Sequence, residues 1–132
     1  MASEGLHEPL ELLDEGLVER HRAIASLIEE FDAVDWYDQR IAASKDASLK
    51  ALLAHNRDEE KEHATMTLEW LRRRDPALDA QLRAYLFTTS PITAVERQVE
   101  GEAESGAEGG AGASLRPGDG SLGIGSLREG GA

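Results

Sequence analysis

The sequence predicts an all-α fold: an antiparallel two-helix hairpin followed by short C-terminal helices, which completes a four-helix bundle only on dimerisation. Three observations predict it. Apolar residues recur at three- and four-residue spacing over two long stretches. A break of only four residues, Ser44 to Ala47, separates them, too short for anything but an antiparallel turn. No stretch shows the alternation expected of a strand.

The first helix is expected from about His7–Pro9, since proline suits a first turn, to about Ser44. Leu10, Leu13, Leu17, Ile24, Leu27, Phe31, Val34 and Ile41 form a heptad-like seam whose two gaps are filled by Arg20 and Asp38. Acidic residues gather early in this helix, where the macrodipole favours them. Asp46 is the expected N-cap of the second helix, which runs to about Arg74. Arg72, Arg73 and Arg74 occupy its last turn, and Pro76 is expected to stop it. A third helix is expected over about 77–87. Ser90 and Pro91 then read as N-cap and first position of a last short helix ending near Val99.

From Glu100 the composition turns to Gly, Ala, Glu and Ser, and large apolar residues vanish until Leu115. Such a segment reads as a flexible linker. Three aliphatics, Leu122, Ile124 and Leu127, return at the far end among Gly and Ser, the pattern of a short motif that docks into a partner's groove. The expected organisation is a helical domain over 1–99, a linker over 100–119 and a docking peptide over 120–132.

The chain has 132 residues and a net charge of −12, from 26 acidic and 14 basic residues. That balance argues against partners that are polyanions, both nucleic acid and anionic membrane. It attracts cations, though solubility alone would also account for it. There is no cysteine, which excludes thiolate ligands and Cys nucleophiles, so any metal must be held by oxygen and imidazole. Fe, Mn or Zn suits such donors better than Cu(I). The N-terminus lacks a basic region followed by an apolar one, so no signal peptide is expected. No apolar run approaches the length of a membrane span. The expected location is the cytosol.

The seam of the second helix is the informative one. Leu49, Leu53, Asn56, Glu60, His63, Thr67 and Trp70 follow a four-three alternation with apolar ends and a polar centre. Burying such polar groups without partners costs on the order of 2–7 kcal/mol each, so a bound cation is the economical reading. Glu60 and His63 form a Glu-x-x-His motif. Three residues apart, they lie within about 60° of each other and one turn apart, and both can grip one ion. Glu30 sits near the middle of the first helix, opposite them. Tyr37 nearly eclipses Glu30 after two turns, with Trp36 beside it. Di-iron carboxylate bundles use two copies of one Glu plus one Glu-x-x-His. This chain carries one copy, so two chains must meet to complete one centre. In that centre Glu60 would bridge two metals, and Glu30 and His63 would be terminal ligands. Asp58, Glu59 and Glu62 read as a solvated face with Arg57 and Lys61 as partners, and His55 as surface. Trp36 reads more simply as a packing aromatic.

Residues 28–40 (IEEFDAVDWYDQR), 55–63 (HNRDEEKEH), 66–72 (MTLEWLR) and 85–94 (YLFTTSPITA) resemble the encapsulated ferritins. The likeness covers roughly residues 7–96 and resumes at 121–127 (SLGIGSL), which resembles the peptide that docks cargo inside an encapsulin shell. The resemblance implies a ferritin-like subunit and a ferroxidase that oxidises Fe(II) to Fe(III). The di-iron centre would be formed by Glu30, Glu60 and His63 of two chains, with Tyr37 nearby. It further implies an outer metal-access site at Glu29, Asp32 and Trp36, where Asp32 is one methylene shorter than the family's Glu. Five dimers would close an open ring inside an encapsulin nanocompartment of the bacterial cytoplasm, where the shell holds the mineral. Competing readings are a rubrerythrin-like di-iron peroxidase, which usually needs a cysteine-bearing electron-transfer domain, and a non-catalytic metal-bridged scaffold.

Overall fold

A computed structural model describes residues 5–110 of the chain. All regular structure among them is helical: a 3₁₀ turn, Leu10–Leu12, and four α-helices, α1 (Glu15–Ala43), α2 (Ala47–Arg72), α3 (Pro76–Tyr85) and α4 (Ile92–Gly110). The all-α expectation holds. No described helix is long and apolar enough to cross a membrane. Leu122, Ile124 and Leu127, with all of 111–132, lie outside the described residues.

Capping chemistry sets the boundaries and moves several of them. The first helix begins at Glu15, not near Pro9. Pro9 instead opens the 3₁₀ turn, in which its carbonyl accepts from Leu12 N at 3.0 Å. Asp14 then sits in extended conformation and its carboxylate accepts from Leu17 N at 2.7 Å. That satisfies one of the orphan donors of a helix start, a task aspartate performs better than it fills a helix interior. At the hairpin turn Asp46 caps α2, with its Oδ1 accepting from Leu49 N at 3.0 Å and from the Ser48 hydroxyl at 2.7 Å. Pro76 does not stop the second helix but starts the third. Asp75 caps α3 by accepting from Leu78 N at 3.0 Å, and proline at the first position has no N–H to leave unsatisfied.

The third helix ends at Tyr85, two residues short of the expected end at Phe87. Leu86 is extended, and Phe87 takes a φ of +63°. This left-handed conformation costs a side-chain-bearing residue roughly 1–2 kcal/mol. The fourth helix starts where Pro91 O accepts from Val95 N at 3.1 Å and continues to Gly110, well past Val99. Residues 100–110, expected as linker, are therefore helical. A segment poor in large apolar groups still closes its own backbone hydrogen bonds as a helix, and Ala and Glu are among the best helix formers.

The chain divides into two compact units between Arg74 and Asp75. In the first, α1 packs along α2 as the predicted hairpin. The heptad seam of α1 splits into two rows. Leu13, Arg20, Leu27, Val34 and Ile41 are half-buried, whereas Leu10, Leu17, Ile24, Phe31 and Asp38 are exposed. On α2 the deepest positions are Ala64 and Leu71, each one residue beyond the predicted His63 and Trp70. The line through Asn56, His63 and Trp70 therefore runs along the edge of the buried stripe rather than its centre. In the second unit α3 meets α4, with Ala84 and Val95 buried. These four residues are all the buried hydrophobics among the described ones, and no large side chain is fully enclosed.

Candidate metal centre

Glu30 lies within about one residue of the middle of α1, and Glu60 within about one residue of the middle of α2. An antiparallel hairpin with a three-residue turn brings two helix midpoints level. Single donor atoms of Glu30, Glu60 and His63 lie within 4.8 Å of one another. His63 Nδ1 stands 3.7 Å from Glu30 Oε2 and 3.7 Å from Glu60 Oε2. These separations are too long for hydrogen bonds. They match the gap of about 3–4 Å between donors that each sit about 2.0–2.2 Å from one ion. Two carboxylates and one imidazole without thiolate form a donor set suited to iron, manganese or zinc.

Electrostatics points the same way. The Glu30 carboxyl is held above its ordinary range, first by a shared hydrogen bond with Glu60, then by partial burial and by repulsion from the Glu60 charge. His63 pulls it down, and Glu29 pushes it further up. Two acids facing each other in this way lack a positive charge between them. Three donors also leave a coordination sphere incomplete. The side chains of Glu30 and Glu60 are about one-quarter exposed, and that of His63 is 44% exposed. The cluster thus opens at the hairpin surface on its imidazole side, which is where further donors can approach.

The other predicted site residues are more dispersed. Tyr37 is half-buried and lies outside the three-residue cluster; the Arg40 guanidinium sits over its ring, 5.5 Å from the centroid. Glu29 is exposed. Asp32 is half-buried, with Oδ2 shielded from solvent and without a hydrogen-bond partner. Trp36 is exposed and lines a shallow hollow with Gln39 and Arg40. Successive residues turn by about 100°, so Glu29 and Asp32 face away from Glu30 by roughly 100° and 160°. His55 pairs with Glu59 at 2.9 Å on the exposed face.

One contact near the site was not read from the sequence. Arg57 Nη1 donates to Asp38 Oδ1 at 2.9 Å across the hairpin, and its Nε donates to Asp58 at 3.1 Å. The first bond ties α2 to α1 one turn before Glu60 and so helps fix the register that aligns Glu60 with Glu30. The signal was available: Asp38 interrupts the α1 seam, and Arg57 is the basic residue one turn before Glu60.

A hairpin that gathers one Glu and one Glu-x-x-His from the middles of adjacent helices has the donor pattern of half a carboxylate–histidine metal bundle. The EncFtn-like family model matches residues 5–89, and the chain belongs to that family. It is 60% identical over 127 residues to the encapsulated ferritin-like protein of Rhodospirillum rubrum, covering 96% of this chain and 90% of that one. It is 50% identical over 99 residues to a ferritin-like protein of Thermotoga maritima, covering 75% and 87% of the two chains. Among solved structures, protein ne0167 from Nitrosomonas europaea matches with a TM-score of 0.66 at 60% identity, over 67% of this chain and 98% of that one. The Rhodospirillum match leaves only about five of the 132 residues outside it, so Leu122 and Ile124 fall within the similar region.

Proposed function

We propose that this chain oxidises Fe(II) to Fe(III) at a di-iron centre made by two copies, each contributing Glu30, Glu60 and His63. The observation that carries the reading is the cluster itself: three metal donors converge within 4.8 Å and open toward the surface. Membership of a family with ferritin-like relatives supports iron as the substrate. Iron supplies the redox chemistry, since two Fe(II) ions give up one electron each to an oxidant such as O2. The protein's part is to hold both ions at once. Glu60 is the candidate bridge, and Glu30 and His63 are terminal ligands. All three must be deprotonated at the donor atom, so binding weakens as pH falls. Tyr37 lies two turns along α1 from Glu30 as a neighbour of the centre. Glu29, Asp32 and Trp36 form an outer site where cations gather before reaching it.

The row of Leu17, Ile24 and Phe31, exposed along α1, supports the second copy. A hairpin with so few buried residues has apolar surface left to cover. The ring of five dimers, the encapsulin shell protein as partner of Leu122, Ile124 and Leu127, and residence inside that shell belong to the same proposal. They rest on the relative named as encapsulated and on its likeness reaching the tail.

Anaerobic loading followed by exposure to air tests the centre. The expected stoichiometry is one iron per chain, with oxidation followed by absorbance. Glu30→Ala, Glu60→Ala and His63→Ala should each abolish rapid oxidation. Wild-type rates in all three would refute the assignment, and turnover faster with peroxide than with oxygen would make the protein a peroxidase. Metal-dependent pairing without redox turnover would leave a scaffold. Deleting residues 121–132 should leave oxidation intact and end co-purification with the shell protein.

A further inference from the structure

Most ion pairs of the described residues stay within one helix: Arg22 with Glu19, His55 with Glu59, Arg73 with Glu69 and Arg83 with Asp79. Arg57 reaches further. Its Nη1 donates to Asp38 Oδ1 at 2.9 Å across the hairpin, and its Nε donates to Asp58 Oδ1 at 3.1 Å on its own helix. Held at two atoms, the planar guanidinium has one orientation. The Arg57 side chain is only 25% exposed, so the pair escapes much of the solvent screening that makes surface ion pairs weak.

Apolar packing selects the register of this hairpin poorly. Burial has no direction, and the inner row of α1 repeats aliphatics at Leu27, Val34 and Ile41. A slide that carried Leu27 into the place of Val34 would set aliphatic against aliphatic again while moving Glu30 by about 10 Å. Ala64 and Leu71 are the only buried hydrophobics described in the hairpin, so little jigsaw packing opposes it. An ion pair does oppose it, because its geometry is lost on sliding. Asp35, the carboxylate one turn before Asp38, already accepts from Gln39 Nε2 at 3.0 Å. Metal donors need this precision, since a site works only with its ligands held within about 0.5 Å.

We infer that Arg57 and Asp38 act as one unit that positions Glu60 against Glu30, and that the affinity and coordination geometry of the metal centre depend on this pair. Arg57 precedes Glu60 by one turn of α2, so its tie to α1 acts next to the donors and not at the helix ends. Neither Arg57 nor Asp38 belongs to the donor cluster; both are positioning residues. The inference rests on the proposed function in taking Glu30, Glu60 and His63 as the metal site. Charge alone gives the opposite expectation. Arg57 is a cation one turn from a cation site, so a residue acting only through its field would tighten metal binding when removed.

The test titrates the full chain with Co(II), whose visible spectrum reports coordination geometry, and follows Fe(II) oxidation in parallel. Arg57→Met keeps the apolar stem and loses the guanidinium. Asp38→Ala removes the acceptor. Each should weaken Co(II) binding by about 10–100-fold and alter the spectrum. The double variant should bind no more weakly than either single one, and Arg57→Lys should recover part of the loss. Asp14→Ala, which weakens the fold at the start of α1, should bind Co(II) as wild type does and so separates positioning from general destabilisation. Wild-type or tighter binding by Arg57→Met, or losses that add in the double variant, would overturn the inference. If the wild type binds Co(II) but oxidises no iron, and Arg57→Met still loses affinity, the ferroxidase reading falls and the pair stands. A wild type that takes up no Co(II) would overturn both.

Discussion

Replacing Glu30 by glutamine should stabilise the protein when no metal is bound and weaken it, relative to wild type, when metal is present. The donor oxygens of Glu30 and Glu60 lie within 4.8 Å. Two unit charges at that distance repel by about 1 kcal/mol in water and about 3 kcal/mol at an effective dielectric of 20. Both side chains are about one-quarter exposed, so a value near the lower end applies, reduced again by proton sharing. Glutamine keeps a donor for Glu60 and removes one charge. A net gain of about 1 kcal/mol, or about 4–8 °C in Tm for a domain of this size, is expected for the metal-free variant. The sign depends on pH. Glu30 is raised above 4.5 in the folded chain, so wild-type stability falls as pH rises from 4.5 through the raised value. The advantage of Glu30→Gln should therefore be absent below pH 4.5 and grow above it. Saturating divalent cation should reverse the order. A ligand at a hundred times its Kd contributes about 2.7 kcal/mol, and the variant has lost an anionic donor. The assay is thermal and urea unfolding at fixed chain concentration, with chelator and with Zn(II) or Mn(II). A metal-free Glu30→Gln less stable than wild type at pH 7, or an equal gain from cation in both proteins, would refute the electrostatic account.

Glu69 accepts from both Arg72 and Arg73 at 2.6 Å, and these bonds hold its carboxyl down to about 2. A lowered acid stabilises the fold above its unfolded pKa, so this contribution should disappear as pH falls from about 4.5 to 2, and urea titrations of Glu69→Gln should show a shallower decline across that window. Asp14→Ala removes the cap of α1 and should cost about 1 kcal/mol, read as a lower urea midpoint with an unchanged slope and no loss of metal per chain.

The hairpin and its three donors were legible because both depend on local spacing. A heptad pattern fixes which residues share a face, and a polar centre in an apolar stripe marks something that must be neutralised. What was not legible depends on competition between elements. The two rows of the α1 seam are both apolar, and nothing in their composition says that the row of Leu27 and Val34 faces α2 while that of Ile24 and Phe31 faces outward. The start of α1 and the role of Pro76 turned on capping aspartates, Asp14 and Asp75, whose carboxylates outcompeted the proline signals. The extension of α4 to Gly110 leaves no mark in the apolar pattern, because backbone hydrogen bonds within a helix need no large apolar residues. His63 is less buried than its place on the seam predicts, because the buried stripe of α2 is centred on Ala64, one residue further round the helix.

That displacement of one residue is what leaves the donor cluster open at the surface. Had His63 occupied the position of Ala64, its ring would be enclosed within the hairpin and the three donors would form a closed pocket. At the edge of the stripe the imidazole keeps 44% of its surface open. The carboxylates lie behind it, and an ion held there still has open coordination positions facing out of the chain. The apolar row at Leu17, Ile24 and Phe31 faces outward as well. A second copy that covers this row and supplies the missing donors would meet both needs through contacts of two kinds. Apolar burial alone must work against the repulsion of two chains of charge −12 each. In the proposed pair, a cation between four glutamates would remove the most concentrated part of that repulsion, so its binding energy would add directly to assembly. Pairing and metal loading should therefore rise together, with each shifting the midpoint of the other by the same free energy.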